Sequence, residues 1–319
     1  MIETMVLLLV TLLFGVWFAL LYKGFDRKLV ARMQSRYGPP VTQPIKDIRK
    51  LMVKQTIVPK HAVPWLFNGA PFLALVSSVL LLVFIPFFSP AVFQGDLIFI
   101  WYVMLLPSLA LVIGGFASGS PYATIGAQRE MVLMASYEMP LAISIVSIAY
   151  VLNSFSLDYI FLNPVWGSVG LLGIIGFAIL FLVMLTVIAP ELSKTPFDSP
   201  EAETELAGGL LAEYSGRNLG FFYISDTIKS FALCSLVIAM FFPYGISQAL
   251  GTHLIVDALF FLVKVFVLMF ASVFFVRAAF ARLRIEQAGK FFLAYMLAFS
   301  TLGLLLVVLD GYFPIEVVL

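Results

Sequence analysis

The sequence predicts an all-α, polytopic membrane protein of about eight transmembrane helices, and three observations predict it. Hydrophobic residues make up 62% of the chain and charged residues only 12%, giving a mean hydropathy of +1.05, far from the range of soluble domains. Apolar runs recur along the whole chain, each close to the ~20 residues a helix needs to cross a hydrocarbon core of ~30 Å. The cations are confined to alternate connections, the pattern that orients membrane proteins. A single integral membrane domain over 1–319 follows.

Taken in order, the runs are Thr4 to Tyr22, Trp65 to Phe88, Leu97 to Phe116, Met131 to Leu152, Val169 to Ala189, Leu219 to Phe242, Leu254 to Arg277 and Phe291 to Leu309. The first has Glu3 ahead of it, no basic leader, and a dense basic cluster behind it, so it reads as a retained span rather than a signal peptide. Ten Lys or Arg fall between Lys23 and Lys60. With Arg129, Lys194, Arg217, Arg277, Arg282, Arg284 and Lys290, seventeen of the nineteen cations lie on one side. By the positive-inside tendency that side is cytoplasmic and both termini are outside, in a multi-pass plasma-membrane protein. The other two cations, Lys229 and Lys264, fall inside spans.

The segment 23–64 is basic and amphipathic. Phe25, Leu29, Met33 and Tyr37 recur at helical spacing until Gly38-Pro39-Pro40 stops the pattern, and Ile45, Ile48, Leu51 and Met52 begin a second helix suited to the membrane surface. Lipid headgroups alone would account for such a helix, and a docking surface for partners is the sharper reading. The loop 191–217 is acidic: Glu191, Asp198, Glu201, Glu203, Glu205 and Glu213 are one third of the chain's eighteen carboxylates. Asp198 with Pro200 and Glu201 suits a helix start, but that leaves Glu205 and Glu213 unexplained and favours a polar site.

Inside the spans, Glu138 sits two residues before Pro140, and Glu130 with Arg129 marks the cytoplasmic end of the same helix. Asp226 and Lys229 are three apart, and Asp257 and Lys264 seven apart, so each pair falls near one helical face, where an internal ion pair is the plain explanation. Buried carboxylates and lysines leading inward from an acidic loop are also what a proton relay requires. One cysteine, Cys234, and two distant histidines, His61 and His253, offer no disulfide, metal or iron–sulfur ligand set. No nucleic-acid motif is present.

Several motifs carry a resemblance. Asp26-Arg27-Lys28 through Arg36-Tyr37-Gly38-Pro39, Ala127-Gln128-Arg129 with Ser136-Tyr137-Glu138, Thr195 through Glu203, Glu213-Tyr214-Ser215-Gly216-Arg217, and Arg277 with Arg282 to Gln287 resemble, in order, the subunit 1 family of respiratory complex I, whose bacterial members are its H subunits. Gly38-Pro39-Pro40 runs through Val41-Thr42 to Gln43-Pro44 without the longer extension of complex I. That shorter form resembles membrane-bound nickel–iron hydrogenases, while Phe197-Asp198 and Pro200 to Glu203 resemble complex I. Ser199 and Ala281 depart from the family's usual Leu and Pro. The mixture most resembles the membrane anchor of a ferredoxin-linked hydrogenase or sulfane reductase.

The resemblance implies a membrane anchor and coupling subunit without a complete active site or cofactor of its own. Iron–sulfur clusters, and a nickel–iron site in the hydrogenase branch, would belong to hydrogenase-like or complex I-like cytoplasmic subunits, with antiporter-like subunits alongside in the bilayer. It implies a relay of Glu130, Glu138, Glu201, Glu203, Glu205, Glu213, Asp226, Lys229, Asp257 and Lys264 that links electron transfer to proton or sodium movement. Arg129, Arg217 and Arg277 would be charge partners; Pro196, Phe197, Asp198 and Pro200 loop architecture; and Arg27, Arg32, Arg36, Gly38, Pro39 and Pro40 the docking surface. The alternatives are a quinone-reducing complex I subunit, a stand-alone secondary transporter, against which the lack of an internal repeat counts, and a purely structural anchor.

Overall fold

The computed structural model describes residues 2–85, 95–245 and 254–313. The side chains of residues 2–4 and 254–255, His253, and the end of the second expected span at 86–88 lie outside the described residues. The helices are α1 (Ile2–Met33), α2 (Gln43–Val53), α3 (Pro64–Val83), α4 (Leu97–Ala117), α5 (Pro121–Leu152), α6 (Leu157–Leu162), α7 (Leu171–Glu191), α8 (Glu203–Leu206) and α9 (Gly216–Phe241). Two further spans close the chain, α10 (Val256–Ala279) and α11 (Ile285–Tyr312). Eight of these, α1, α3, α4, α5, α7, α9, α10 and α11, are long and apolar enough to cross a membrane. No strand occurs among the described residues; a lone bridge, Asp96 to Ser156, ties two connections together at the end of the bundle opposite the basic loops.

α9 forms the centre. Of its most apolar stretch, 89% is buried, against 22% for α1 and 28% for α11, which stand at the periphery. α9 is also the least apolar of the eight spans, as expected of a helix whose neighbours are other helices and not lipid.

The first span and the first amphipathic stretch are one helix. At 1.5 Å per residue α1 is ~48 Å long, well beyond the hydrocarbon thickness, so its last turns carry Asp26 to Met33 past the apolar layer. The chain then folds back onto α1 at Gly24, where a Cβ would lie 1.9 Å from the Val41 carbonyl oxygen. α2 does not lie free on the membrane surface, as its pattern suggests it should. Its Leu51 and Met52 pack against Gly220 of α9, while Lys46, Arg49 and Lys50 remain exposed.

The acidic loop is folded, not open. Gly209, at φ +53, lets the chain turn so tightly that a Cβ there would sit 1.9 Å from the Pro200 carbonyl oxygen. The Leu283 amide donates to Pro196 O at 2.9 Å, and the Phe197 ring packs on Phe292 at 5.1 Å. The helix expected to start at Asp198 is only a single 3-10 turn, Ser199–Glu201, which Asp198 does not cap. Its carboxylate is engaged by an arginine, and that competing partner removes the capping interaction.

Candidate functional site: a charged cavity at the polar end

Where the basic and acidic connections meet, a cavity of about 550 Å³ opens between α1, α2, α4, α5, α9 and the acidic loop. Its wall includes Lys23, Glu130, Glu191, Lys194, Glu201, Asp226 and Lys229, with Arg27, Asp47, Asp198, Glu203, Arg277 and Arg282 toward the rim.

The pairs within it run between elements rather than along them. Asp226 and Lys229 do not pair with each other. Asp226 binds two ammonium groups, Lys23 at 2.8 Å and Lys194 at 2.9 Å. Lys229 turns the other way, to Glu191 at 2.6 Å, and donates to Ser108 Oγ at 2.5 Å and to the Glu191 carbonyl at 2.8 Å. Both members of the Lys229–Glu191 pair are buried, and the contact is a close ion pair that lacks hydrogen-bond alignment, so the Glu191 carboxylate is incompletely satisfied. Neighbours three apart on one helix compete with groups on facing helices, and in this bundle the facing partner wins.

Next to this pair the site continues inward. Glu130, fully buried, accepts from Ser193 Oγ at 3.2 Å and interacts with the charges of Lys229, Glu201 and Glu191. Tyr137 is also fully buried. Its hydroxyl lies within reach of Glu191 without an aligned hydrogen bond, and Glu130 and Glu138 are its other electrostatic neighbours. Glu138 stands ~12 Å farther along α5 than Glu130, at eight residues of 1.5 Å rise. Its Oε1 is buried without a hydrogen bond, and it interacts with Glu191 and Lys229. Protonatable groups thus form a coupled series from Glu201 in the cavity wall to Glu138 within the span.

Toward the rim, burial and neighbouring charges together set protonation. Burial raises the Glu201 carboxyl above its ordinary value of 4.5. Burial is the largest influence on Lys194 and opposes its charge, but Asp226, Glu201 and Asp26 together outweigh it and raise the ammonium above its ordinary value. Arg282 grips Asp198 through two parallel bonds, at 2.7 and 2.8 Å, which raises the guanidinium further. Arg129 bonds Glu205 at 2.7 Å and the Ser199 carbonyl at 3.2 Å; the first of these bonds lowers the Glu205 carboxyl. Arg277 meets the buried Asp26 at 3.0 Å, leaving Asp26 Oδ1 unpartnered, and Arg27 pairs with Asp47 at 2.5 Å.

Not every expected residue reaches the cavity. Glu213 and Arg217 are exposed and outside its wall. Arg32 and Arg36 are exposed on the end of α1 and the turn after it, and Gly38, Pro39 and Pro40 form the connection to α2. Asp257 and Lys264 belong to the opposite end, where Lys264 donates to the carbonyls of Phe242 and Tyr244 at 2.6 and 2.8 Å and interacts with Asp257. Conversely, Lys23, Lys194 and Glu191 stand out in the sequence only as loop charges, and Tyr137, Asp26 and Arg282 only as members of motifs. Glu191 does carry a signal of its own, as an acidic residue in the last turn of an apolar helix, a place it shares with Asp310. Among the described residues no cluster of His, Cys, Asp and Glu could hold a metal ion.

A family model described as NADH dehydrogenase matches residues 4–308. The chain is 34% identical over 286 residues to the H subunit of the NADH-quinone oxidoreductase of Syntrophotalea carbinolica, covering 83% of each chain. It is 33% identical over 293 residues to the protein of the same name from Brevibacillus brevis, covering 88% of this chain and 85% of the other. Among solved structures it resembles a chain of the membrane-bound sulfane sulfur reductase, an archaeal respiratory membrane complex, with a TM-score of 0.85 and 26% identity over 96% of this chain and 99% of that one.

Proposed function

The chain belongs to the NADH dehydrogenase family of complex I subunit 1 proteins, and from that premise we propose that it is the membrane anchor and coupling subunit of an energy-converting respiratory redox complex. Its polar end faces the cytoplasm and its termini lie outside, since seventeen of nineteen cations fall on one side. There it seats hydrogenase-like or complex I-like subunits whose iron–sulfur clusters, with nickel–iron in the hydrogenase branch, carry electrons from ferredoxin. Antiporter-like subunits flank it in the bilayer. This chain contributes the charge path between the two.

The observation that carries this reading is the coupled series of groups from Glu201 through Glu130, Lys229 and Glu191 to Tyr137 and Glu138. A change of charge at a docked redox centre alters the balance at the rim. Glu201, its carboxyl raised by burial, takes up or releases a proton, and its neighbour Glu130 responds through their mutual repulsion. Because Lys229 counters both Glu130 and Glu191, a proton gained by one strengthens its hold on the other, and the shift is handed on to Glu138.

A Glu138→Gln variant, reconstituted in proteoliposomes with its complex, should keep electron transfer while ion translocation falls by about 10²-fold, the lower range for a positioned proton-transfer group. Full translocation would remove Glu138 from the path. Quinone reduction is the second reading, favoured by the relatives that are named NADH-quinone oxidoreductases. The cavity wall counts against it, because a quinone and its tail seek a mainly apolar surround and this wall is crowded with ions. Quinone recovered bound to the purified complex would reverse that preference.

A further inference from the structure

Two consecutive spans each contain a π-helical turn, Phe270–Phe274 in α10 and Phe291–Met296 in α11. Such turns are rare, carry one residue more than an α turn, and recur at functional positions. Between and including them lie residues 270–296, which bend around the polar end.

Among the described residues, the polar links from this segment to other elements include one between Ser272 of the first π turn and Cys234 of α9 and others at the rim. Arg277 reaches Asp26 at 3.0 Å, Arg282 grips Asp198 and touches Thr204 Oγ1 at 3.3 Å, and the Leu283 amide donates to Pro196 O. Arg282 and Asp198 keep partial access to solvent, so water can replace each partner when the grip opens. Of these, Arg282–Asp198 is the latch that solvent can reach, while Arg277 answers a buried carboxylate.

Beyond the second π turn the situation is different. α11 lies so close on α7 that a Cβ at Gly176 would stand 2.8 Å from the Gly303 carbonyl oxygen. Asp310 accepts from the Gly170 amide at 2.7 Å at the start of α7. This upper part of α11 is clamped. The π turn lies between clamp and latch, and its Phe292 ring touches both Phe197 of the acidic loop, at 5.1 Å, and Tyr137, at 6.3 Å.

We propose that residues 270–296 form a strap that moves as one unit, latched at the cavity rim by Arg277–Asp26 and Arg282–Asp198 and hinged at the two π turns, so that its position sets how Phe292 packs on Tyr137. A π turn can pass its extra residue along the helix without breaking the helix on either side, which is what a hinge beside a clamped segment needs. Release at the rim is thereby converted into altered packing beside the buried carboxylates. The purpose of the strap rests on the coupling role proposed above, but its motion does not.

Hydrogen exchange on the intact purified complex, wild type against Asp198→Asn, tests the motion with no electron transfer involved. Loss of the latch should speed exchange about fivefold, matching ~1 kcal/mol, at Leu283 and in both π turns together. The flanking 256–269 and 297–312 should stay as in the wild type. Faster exchange confined to 281–284, or none anywhere, overturns the proposal. Should Asp198→Asn not assemble, Arg282→Lys keeps the charge and loses the two-pronged grip; a smaller rise over the same two turns supports the strap, and a purely local one overturns it. A Glu138→Gln variant that pumps normally would defeat the coupling reading while leaving this result standing.

Discussion

At the polar end of the bundle Lys23 and Lys194 share Asp226 and Lys229 meets Glu191, so each charge is answered by a charge from another element. At the far end the aligned bonds run to backbone: Lys264, with Asp257 nearby, donates to carbonyls that follow α9, and Asp310 accepts from the amide of Gly170 at the head of α7. Backbone groups at helix ends do not titrate. They need a cap, and a cation at a C-terminus or an anion at an N-terminus also complements the helix dipole. Side-chain partners do titrate, and each can exchange one partner for another. The same residue types therefore make fixed caps at one end and an adjustable network at the other.

The largest effect should come from breaking the network at its driest point. Lys229→Met leaves Glu191 buried with no countercharge and should destabilise the assembled complex by ~3–5 kcal/mol, read as a lower melting temperature in detergent. Adding Glu191→Gln should recover most of that loss, and a double variant no better than the single one would break the comparison. An intermediate effect is expected at the far end. Lys264→Met should cost ~1.5 kcal/mol through two lost carbonyl bonds, with the ratio of ions moved per electron unchanged. A changed ratio would make Lys264 part of the path after all.

The smallest effect sharpens the comparison at the rim. The Glu201 carboxyl is raised above 4.5 in the folded protein, so the folded state holds this proton to higher pH than the unfolded chain does. Its contribution to stability is complete below 4.5 and is lost as pH rises through the raised value. Glu201→Gln removes that loss. The melting temperature of the variant should therefore gain on the wild type as pH rises from 4.5 toward neutrality, and parallel pH profiles would show that burial does not govern this group.

The spans are legible because hydropathy acts on each helix separately. All eight can be read from the sequence, with boundaries displaced most where a polar stretch continues a helix, as when α1 runs on through Asp26-Arg27-Lys28. Half of the site is legible in the same way: Glu130, Glu138, Glu201, Asp226 and Lys229 stand out because ions are rare in spans and crowded in one loop. Their partners do not. Lys23 and Asp226 are separated by nearly two thirds of the chain, and no local period encodes such a meeting. The period that is available suggests Asp226 with Lys229, a pair that packing between helices dissolves.

The near-complete enclosure of α9 also bears on how the protein is made. A segment carrying Asp226 and Lys229 is a poor candidate to rest alone in lipid, where each ionised side chain would cost ~3 kcal/mol or more. Its countercharges, Lys23, Glu191 and Lys194, all precede it in the chain and have left the ribosome before it does. Those earlier helices form a waiting berth into which α9 enters, and its insertion is then a step of assembly as much as of partitioning.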